Sequence, residues 1–528
     1  MRSGNKMAKM LFNTLLYSLL VNTCFSCATG ASDCSAEVPP APQSQACYTY
    51  YVDAATGSDQ NTGTSESAAW KTLARASQQK LNAGDQLLLR RGQTFEGELE
   101  ITGKGSEDKR IEVGCYGTGG NPVIKGYDQS RYAIRILNSD YLTLSGFEIV
   151  NTGKERMAGR TGVKVECTNY GVSHDIRITD LYIHDVNGSL SKETGGGSAI
   201  LIENGGKTIA SRFDGLLIEG CHIKDCGRNG MIWSGYWERQ DWLPSTHVVV
   251  RGNLIEGVPG DGIVPIGCDG CLIEYNVMRD CPDILPADQA AAGFWPWSCD
   301  NTIIQYNEVS GHKAPWDAQG FDCDYNCRNT LMQYNYSHDN YGGMMLICDS
   351  GNERNYSIGN QGSIVRYNIS IGDGIRPKET RDGMFSPALH LCGKLENTLV
   401  ERNIIHQNVK ESPDIDHTMI CSNSWDGYPD GTTFRENIFY SAELSKIDIT
   451  KSTANIFEHN WYLGKCEAYG ADSKSCSASS IYQKQVLDVD ANGYSGLQSL
   501  MDSKTLFGQT CHFVNKTAIE RFFDEMLR

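Results

Sequence analysis

The sequence predicts a right-handed parallel β-helix, an all-β solenoid that runs through most of the 528 residues. Two observations carry this prediction. One segment, with an apolar triplet, a short polar turn and a second apolar pair, recurs eleven times along the chain. The composition, with 55 Gly and abundant Asn, Asp, Ile, Val and Tyr, suits short strands joined by tight turns. A solenoid can also grow past the usual size of a domain, because each coil contacts only its neighbours.

The repeated segment begins as YLTLSGFEIVN and ends as NIFEHNWYLG. Its copies cover residues 141–151, 176–185, 216–225, 248–257, 271–280, 302–311, 330–339, 363–372, 398–407, 432–441 and 455–464. Periods of this length are typical of solenoids. Each copy therefore predicts two strands of one coil and the corner between them.

An asparagine column marks the corner in the later copies. It comprises Asn253, Asn276, Asn307, Asn335, Asn368, Asn403, Asn437 and Asn460, at steps of 23, 31, 28, 33, 35, 34 and 23 residues. Asn tolerates the left-handed backbone of a tight corner, and its amide can bond to the Asn above and below. We therefore expect a structural ladder. The steps longer than 23 residues carry insertions, which we expect to wall a groove along one face.

The ends of the solenoid need caps, because an open end exposes strand edges and apolar core. Residues 48–126 contain WKTLARAS, a predicted short capping helix, and the repeat decays after 465 into a tail that we expect to cap the other end. The predicted organisation is a signal peptide at 1–27, a linker at 28–47, the β-helix at 48–465 and a capping tail at 466–528.

The N-terminal segment predicts export. Lys6 and Lys9 precede an apolar run from Leu11 to Leu20, which is too short to span a bilayer, and small residues follow. Cys27 is a candidate for the lipid-bearing cysteine of a lipoprotein, although its flanking residues make a poor lipobox. The expected location is the periplasm, the cell surface or the medium, with the membrane involved only through such an anchor.

The net charge and the positions of the cysteines argue against several classes of binding partner and metal site. The net charge of −17 argues against nucleic acid and anionic membranes, and mildly against a polyanionic substrate. Most of the 20 cysteines recur at one place in successive repeats, so we interpret them as stacked core thiols, with Cys268, Cys299 and Cys327 close together. Disulfides remain open for the pairs Cys34–Cys47 and Cys466–Cys476. A zinc site at Cys268 and Cys271 is not expected, because no second ligand pair accompanies them. We expect a monomer.

The coil pattern over 48–465 resembles the pectin-lyase-like right-handed β-helix superfamily, which is dominated by secreted carbohydrate-active enzymes. The resemblance implies a fold and favours polysaccharide chemistry, but it does not identify the reaction.

The candidate active site comes from aligning third strands on their opening glycines. Asp322 and Asp324 then follow Trp295 and Trp297 by one coil, although counting from Asn335 shifts this register by one residue. Residues i and i+2 share one face of a strand, and two carboxylates facing an apolar core are too costly to desolvate. We therefore expect both acids to face outward into solvent, beside the two tryptophans.

Exposed aromatic rings beside paired carboxylates favour a glycoside hydrolase, in which the rings hold the sugar and the acids break the bond. Asp322 and Asp324 are the leading pair, with Asp317, Asp261 and Asp349 as alternative partners. The further substrate-binding candidates are Trp295, Trp297, Trp316, His312, Lys313 and His338. No cofactor or metal is expected for a hydrolase.

Two other functions stay open. A polysaccharide lyase needs a base and often Ca²⁺, with His312, Lys313, Arg376, Lys378 and Arg381 as candidates. A non-catalytic glycan-binding β-helix needs only the aromatic groove. A purely structural interpretation also exists: the acids keep the surface soluble or bind calcium, the tryptophans pack under loop 281–291, and His338 belongs to a turn.

Overall fold

The computed structural model describes residues 46–349, 358–377, 379, 386–408, 418–425, 427–472 and 497–527. The predicted signal segment and the candidates Cys34, Lys378, Arg381 and Cys476 lie outside these residues. Within the described part of the chain, no helix is long and apolar enough to cross a membrane.

The chain from 49 to 466 winds through three parallel sheets, and strands are numbered in chain order. The first sheet has 15 strands: β1 (Thr49–Val52), β3 (Gln86–Arg90), β6 (Ile111–Tyr116), β9 (Leu142–Ser145), β12 (Val172–Thr179), β15 (Arg212–Glu219), β18 (Ser245–Arg251), β21 (Cys268–Asp269), β22 (Leu272–Glu274), β25 (Ile303–Gln305), β30 (Leu331–Gln333), β34 (Ile364–Arg366), β38 (Leu399–Glu401), β41 (Thr433–Arg435) and β43 (Ile456–Glu458). Short strands β29 (Cys327–Arg328), β33 (Asn360–Gln361) and β37 (Leu395–Glu396) pair with one another.

The second sheet follows the asparagine corner. It contains β4 (Thr94–Glu96), β7 (Val123–Lys125), β10 (Glu148–Asn151), β13 (Tyr182–Asn187), β16 (His222–Gly227), β19 (Leu254–Glu256), β23 (Val277–Arg279), β26 (Glu308–Ser310), β31 (Tyr336–His338), β35 (Ile369–Ile371), β39 (Ile404–Gln407), β42 (Ile438–Asp448) and β44 (Trp461–Cys466).

The third sheet begins with β2 (Lys80–Asn82), β5 (Leu99–Lys104), β8 (Tyr132–Leu137), β11 (Thr161–Thr168), β14 (Ser198–Gly205), β17 (Asn229–Ser234) and β20 (Ile263–Val264). It continues with β28 (Phe321–Cys323), β32 (Met345–Cys348), β36 (Leu389–Cys392) and β40 (Thr418–Asn423). Bridges through Phe294 join β20 to β28. The three sheets enclose one apolar core, because alternate residues of each strand point inward.

The asparagine column forms the expected ladder. All eight side chains are buried, and each Nδ2 donates to the Oδ1 of the next Asn at 2.8–3.1 Å. Asp472 accepts the last of these bonds, from Asn460, at 3.0 Å. The predicted left-handed conformation belongs instead to the residue before each Asn, such as Tyr275 or Tyr306, with φ near +50° to +65°. Asn occupies this position because its side-chain amide forms hydrogen bonds with the polar groups that are buried at the corner.

Buried thiols stack as expected inside the coils. Cys268, Cys299 and Cys327 are at most 1% exposed. The Cys268 backbone N–H donates to Cys299 Sγ at 3.3 Å, and the Cys299 N–H donates to Cys327 Sγ at 3.4 Å. The prediction of neighbouring core thiols is confirmed.

The two ends differ in how they close. Helix α1 (Leu73–Ala76) follows a 3₁₀ turn (Glu66–Ala68) and buries Leu73 and Ala76 beside the first coils. At the other end, Tyr469 packs on Phe457 of the last coil at a ring distance of 4.4 Å.

The described tail residues 497–527 lie along the flank of the solenoid, and the cap over 466–528 stays a prediction. The described tail contains a 3₁₀ turn (Gln498–Leu500), the antiparallel hairpin β45 (Met501–Leu506) and β46 (Gln509–Val514), and α2 (Lys516–Met526). Its apolar residues cover a column of stacked tyrosines on the solenoid surface, Tyr275, Tyr306, Tyr334 and Tyr367. Burying these rings explains the position of the tail, because an exposed aromatic stripe is unfavourable in water.

Candidate active site

A cavity of about 310 Å³ opens on the outer face of the third sheet. Its lining comes from the chain before and within β32, from the residues between the second sheet and β36, from β36 itself, from the end of β40 with the two residues after it, and from the chain just before β28. The lining residues are Trp316, Asp317, Gln319, Gly342, Leu346, Arg376, Ser386, Pro387, His390, Cys392, Asn423, Ser424 and Trp425. The predicted wall of inserted loops exists in part, since β24 (Ala290–Ala291) pairs with β27 (Trp316–Asp317).

The register beneath the cavity follows the glycine alignment. Phe294 bridges Phe321, so Trp295 lies beside Asp322 and Trp297 beside Asp324. One coil later, Asp322 pairs with Leu346, and the next position brings Cys348 beside Asp324. His390 and Cys392 follow on β36. Two columns of outward residues therefore run side by side along the floor of this face.

Asp322 and Asp324 point away from the core, as predicted, while Phe321 and Cys323 point into it. The expectation that they are solvated is wrong: the two residues are only 6% and 9% exposed. Side chains of neighbouring coils and loops cover this face. Burial, followed by the charges of Asp324 and Asp317, raises the pKa of Asp322 well above its ordinary value. Its Oδ1 atom is buried and accepts no hydrogen bond from the described protein atoms.

Asp324 is held by two donors. The Tyr325 backbone N–H donates to Asp324 Oδ1 at 2.7 Å, and Cys348 Sγ lies 3.0 Å from the same atom. Burial raises the pKa of Asp324 to about 6, although both contacts favour the ionised form. A carboxyl group with this pKa can exchange a proton near neutral pH, which general acid catalysis requires.

Asp317 is the carboxylate that lines the cavity, and it is half-buried at the end of the two-residue strand β27, next to Trp316. Its charge acts on both Asp322 and Asp324. Arg376 holds the loop, because its guanidinium donates to the carbonyls of Ala314, Pro315 and Asp317 at 2.7–2.9 Å. Asp317 therefore lines the cavity, whereas Asp322 and Asp324 are buried near it and are not part of the lining.

Asp261 has a structural environment. It is fully buried and paired with Arg228, and its Oδ1 accepts from the Ala292 N–H at 3.2 Å and from Trp295 Nε1 at 3.1 Å. Burial raises its pKa, but Lys192 and Arg228 outweigh that effect and lower the pKa to about 2. Asp261 therefore stays ionised and orients Trp295, and its buried oxygens are not accessible to a sugar.

The remaining acid and the tryptophans occupy different surroundings. Asp349 is buried at the end of β32 and is absent from the cavity lining. Trp297 stacks at 5.2 Å on Trp237, which lies outside the loop 281–291, so part of its ring is covered. Trp295 is half-buried, with the Lys192 amine 5.7 Å from its ring centre. Trp316 lines the cavity directly.

Of the described basic candidates, Arg376 lines the cavity, whereas His312, Lys313 and His338 do not. His312 is fully buried and its Nε2 lies 2.9 Å from the Gly260 carbonyl, and burial lowers its pKa to about 4. Lys313 is half-buried and is not part of the lining. His338 lies on the second sheet between Asp339 and Glu308, at 2.8 and 3.3 Å. The predicted substrate contacts of His312 and His338 are therefore corrected: one histidine is internal, and the other belongs to the flank that carries the tail.

Sequence reasoning missed His390, Asn423 and Trp425 at the far wall of the cavity. His390 Nε2 lies 2.7 Å from Asn423 Oδ1, and Trp425 is 41% exposed. The alignment of third strands stopped at 349, because the next strand, within SPALHLCG, lacks the glycine that opens the earlier ones. The remaining signal for this strand was the alternation Leu389, His390, Leu391, in which a polar residue stands between two apolar ones.

Asp322, Asp324 and Cys348 place ligand atoms within 4.8 Å of one another, a spacing that is compatible with a metal ion. The set fits Ca²⁺ poorly, because Ca²⁺ takes six to eight oxygen ligands and this group offers a thiol in place of one. Cys348 already has a hydrogen-bonding partner in Asp324.

Comparison with known proteins agrees with the architecture. A family model described as "Right handed beta helix region" matches residues 202–370. The fold prediction, including its handedness, and the resemblance to the pectin-lyase-like superfamily are confirmed.

Two groups of relatives are similar over most of the chain. A lacto-N-biosidase of Bifidobacterium longum is 27% identical over 534 residues, covering 82% of this chain and 32% of its own length. The chain thus spans about a third of that relative. A crystal structure of the GH136 lacto-N-biosidase from Eubacterium ramulus superposes with a TM-score of 0.57 and 25% identity, covering 74% of this chain and 67% of that one. Its selenomethionine derivative gives a TM-score of 0.56 at 24% identity.

Proposed function

We propose that this protein is a glycoside hydrolase that acts on oligosaccharides at the cavity of the third sheet. The observation that carries the proposal is Asp317 on the lining of a cavity with aromatic walls, whose charge acts on two buried carboxyl groups, Asp322 and Asp324, that lie outside the lining. Glycosidases need two carboxyl groups in different protonation states on the two sides of the scissile bond. The similarity to lacto-N-biosidases supports the same reaction class.

Asp324 is assigned the role of general acid and base. A pKa of about 6 lets the carboxyl group give a proton to the leaving oxygen and then accept one from water. Its two hydrogen bonds fix the orientation of the carboxyl group before the substrate arrives.

Asp317 is assigned the second catalytic role. The group that attacks the sugar, or activates water, must be reachable, and Asp317 lines the cavity whereas Asp322 Oδ1 is fully buried. A raised pKa also keeps Asp322 protonated, which makes it a poor nucleophile. The leading pair from the sequence is thereby modified to Asp324 with Asp317, and Asp322 is a protonated neighbour to which no catalytic role is assigned.

The walls of the cavity are assigned to sugar binding. Trp316 and Trp425 offer aromatic surface to the apolar face of a sugar ring, and His390, Asn423 and Ser424 offer polar groups to its hydroxyls. Relatives named lacto-N-biosidases suggest lacto-N-biose as the first glycone to test. Export to the cell surface or the medium suits an enzyme that meets such glycans, and stays a prediction.

The experiment is a panel of p-nitrophenyl β-glycosides, including the lacto-N-bioside and single sugars. We expect release of p-nitrophenol together with an intact sugar from at least one member, with the lacto-N-bioside cleaved fastest. Asp324→Asn and Asp317→Asn should each lower kcat/KM by ~10²- to 10⁴-fold, and Asp322→Asn by less. Equal losses in Asp322→Asn and Asp324→Asn, with Asp317→Asn active, would restore the original pair.

The same assay tests the lyase alternative. Among the described candidate bases, His312 is internal, Lys313 is away from the cavity, and Arg376 donates to three carbonyls. A lyase product carries an unsaturated sugar that absorbs in the ultraviolet, whereas hydrolysis leaves a saturated one. An unsaturated product would replace the hydrolase proposal.

A further inference from the structure

Cys348 contacts the proposed acid from the neighbouring coil. It is the last residue of β32, and the pairing of β28 with β32 places it beside Asp324. Its Sγ lies 3.0 Å from Asp324 Oδ1, and the residue is 1% exposed. The contact is therefore sheltered from water, and hydrogen bonds are stronger in such surroundings.

The direction of this hydrogen bond is defined by the protonation of the thiol. Burial, and then the charges of Asp324 and Asp322, raise the pKa of Cys348 well above its ordinary value. Cys348 therefore stays a thiol across the working range of an enzyme, and its S–H donates to the carboxylate. A donor of this kind favours the ionised form of the acid that accepts it.

We propose that Cys348 is a positioning residue that holds Asp324 through a thiol hydrogen bond and thereby sets the pH range of hydrolysis. The inference rests on the proposed function, because it acts through the acid assigned there. It adds a residue on β32, whereas Asp324 directly follows β28.

Other groups also act on Asp324 and bear on its titration. Lys192, on the loop between β13 and β14, favours the ionised form, whereas the charge of Asp317 opposes it. Asp322 shares the strand, and its pKa is raised by Asp324 in turn. On the far side of Cys348, Cys392 is its partner in β36, and Cys392 Sγ lies 2.9 Å from His390 Nε2. None of these groups replaces the direct donor, because Cys348 is the side chain that contacts the carboxyl oxygen.

The test compares Cys348→Ala, which removes the donor, with Cys348→Ser, which keeps one. Cys226→Ala serves as a matched control, because Cys226 is an equally buried thiol on the second sheet. The readout is kcat/KM against pH on the fastest glycoside. An acid must be protonated to act, so activity falls as pH rises through the pKa of Asp324. Removing the donor should raise that pKa, and the falling limb should move up by about one pH unit in Cys348→Ala.

Cys348→Ser should bring the limb back toward that of the native protein, and Cys226→Ala should leave it in place. The proposal is overturned if the falling limb of kcat/KM against pH stays in place in Cys348→Ala. It is also overturned if this limb moves equally in Cys348→Ala and Cys348→Ser. A purely structural role predicts a lower melting temperature with an unchanged pH profile.

A second readout separates this proposal from the proposed function. The S–H stretching band of Cys348, isolated as the infrared difference between native protein and Cys348→Ala, should lie below that of Cys226. The band should shift in Asp324→Asn. If no glycoside is cleaved but the S–H band of Cys348 is low and shifts in Asp324→Asn, the hydrolase proposal fails and the hydrogen bond between Cys348 and Asp324 is supported. If hydrolysis occurs and the band shows no hydrogen bond, only the role of Cys348 is lost.

Discussion

The asparagine corner and the cavity floor are built on the same coils, yet they obey opposite rules. At the corner, one residue type repeats, and every ladder amide has a partner. On the floor, successive coils place Trp295, Asp322, Leu346 and His390 at one position. There, a carboxyl oxygen is buried without a described partner, and two acids have raised pKa values. The difference indicates that the repeat supplies stability and that function lies where the repeat is broken.

The strongest test of this contrast compares one residue from each region. Asp324→Asn should abolish most hydrolysis while the free energy of unfolding changes little, because its shape and its donors can be kept. Asn335→Ala should do the reverse: it removes the oxygen that accepts from the Asn307 backbone N–H at 3.1 Å and the amide that donates to the Ile304 carbonyl at 2.9 Å, and each buried unsatisfied group costs ~1–3 kcal/mol.

The measurements are urea unfolding and kcat, taken on both variants. We expect Asn335→Ala to lose ~2–4 kcal/mol of stability and to keep its kcat at a temperature where it is folded. The assignment of stability to the asparagine corner and of catalysis to the cavity floor is wrong if Asp324→Asn is the less stable of the two variants. It is also wrong if Asn335→Ala is folded but inactive.

A smaller effect is expected in the pH dependence of stability. The pKa of Asp322 is raised in the folded protein, so the folded state binds more protons than the unfolded state above the ordinary pKa. Stability from this group is then complete at low pH and is lost as pH rises toward the folded pKa. Asp322→Asn cannot ionise and should not undergo this loss.

We therefore expect the free energy of unfolding of Asp322→Asn, relative to that of the native protein, to increase between pH 4 and pH 8 by an amount on the order of 1 kcal/mol or more, with a parallel increase in its relative melting temperature. Differential scanning calorimetry at several pH values measures it. A constant difference across this range would show that Asp322 does not titrate abnormally.

The smallest effect is expected at the far wall. Trp425→Ala removes an aromatic surface that is 41% exposed and not part of the core. It should raise KM about 3- to 10-fold with little change in kcat, the range of one aromatic contact. Tyr127→Ala, at an exposed tyrosine outside this cavity, is the control and should leave KM unchanged. A drop in kcat alone would mean that Trp425 does not hold the ground-state sugar.

Local repetition explains which features could be predicted. The Asn column and the stacked cysteines were predictable because each depends on residues at the same position in adjacent coils. The register of Asp322 beside Trp295 followed from the glycines for the same reason. Burial of the outward face was not predictable, because its cover comes from loops far apart in sequence, including those with Lys192 and Arg376. The flank position of the tail likewise depends on a tyrosine column spread over several coils.

The central claim is that water cleaves a glycosidic bond at the cavity where the repeat is broken. Cleavage of the fastest glycoside in H₂¹⁸O, followed by mass spectrometry of the released sugar, tests it most directly. We expect one ¹⁸O atom in a saturated sugar from the native protein, and only a trace of this product from Asp324→Asn. A product that lacks ¹⁸O and carries an unsaturated ring, or equal labelling by the native protein and Asp324→Asn, would contradict it.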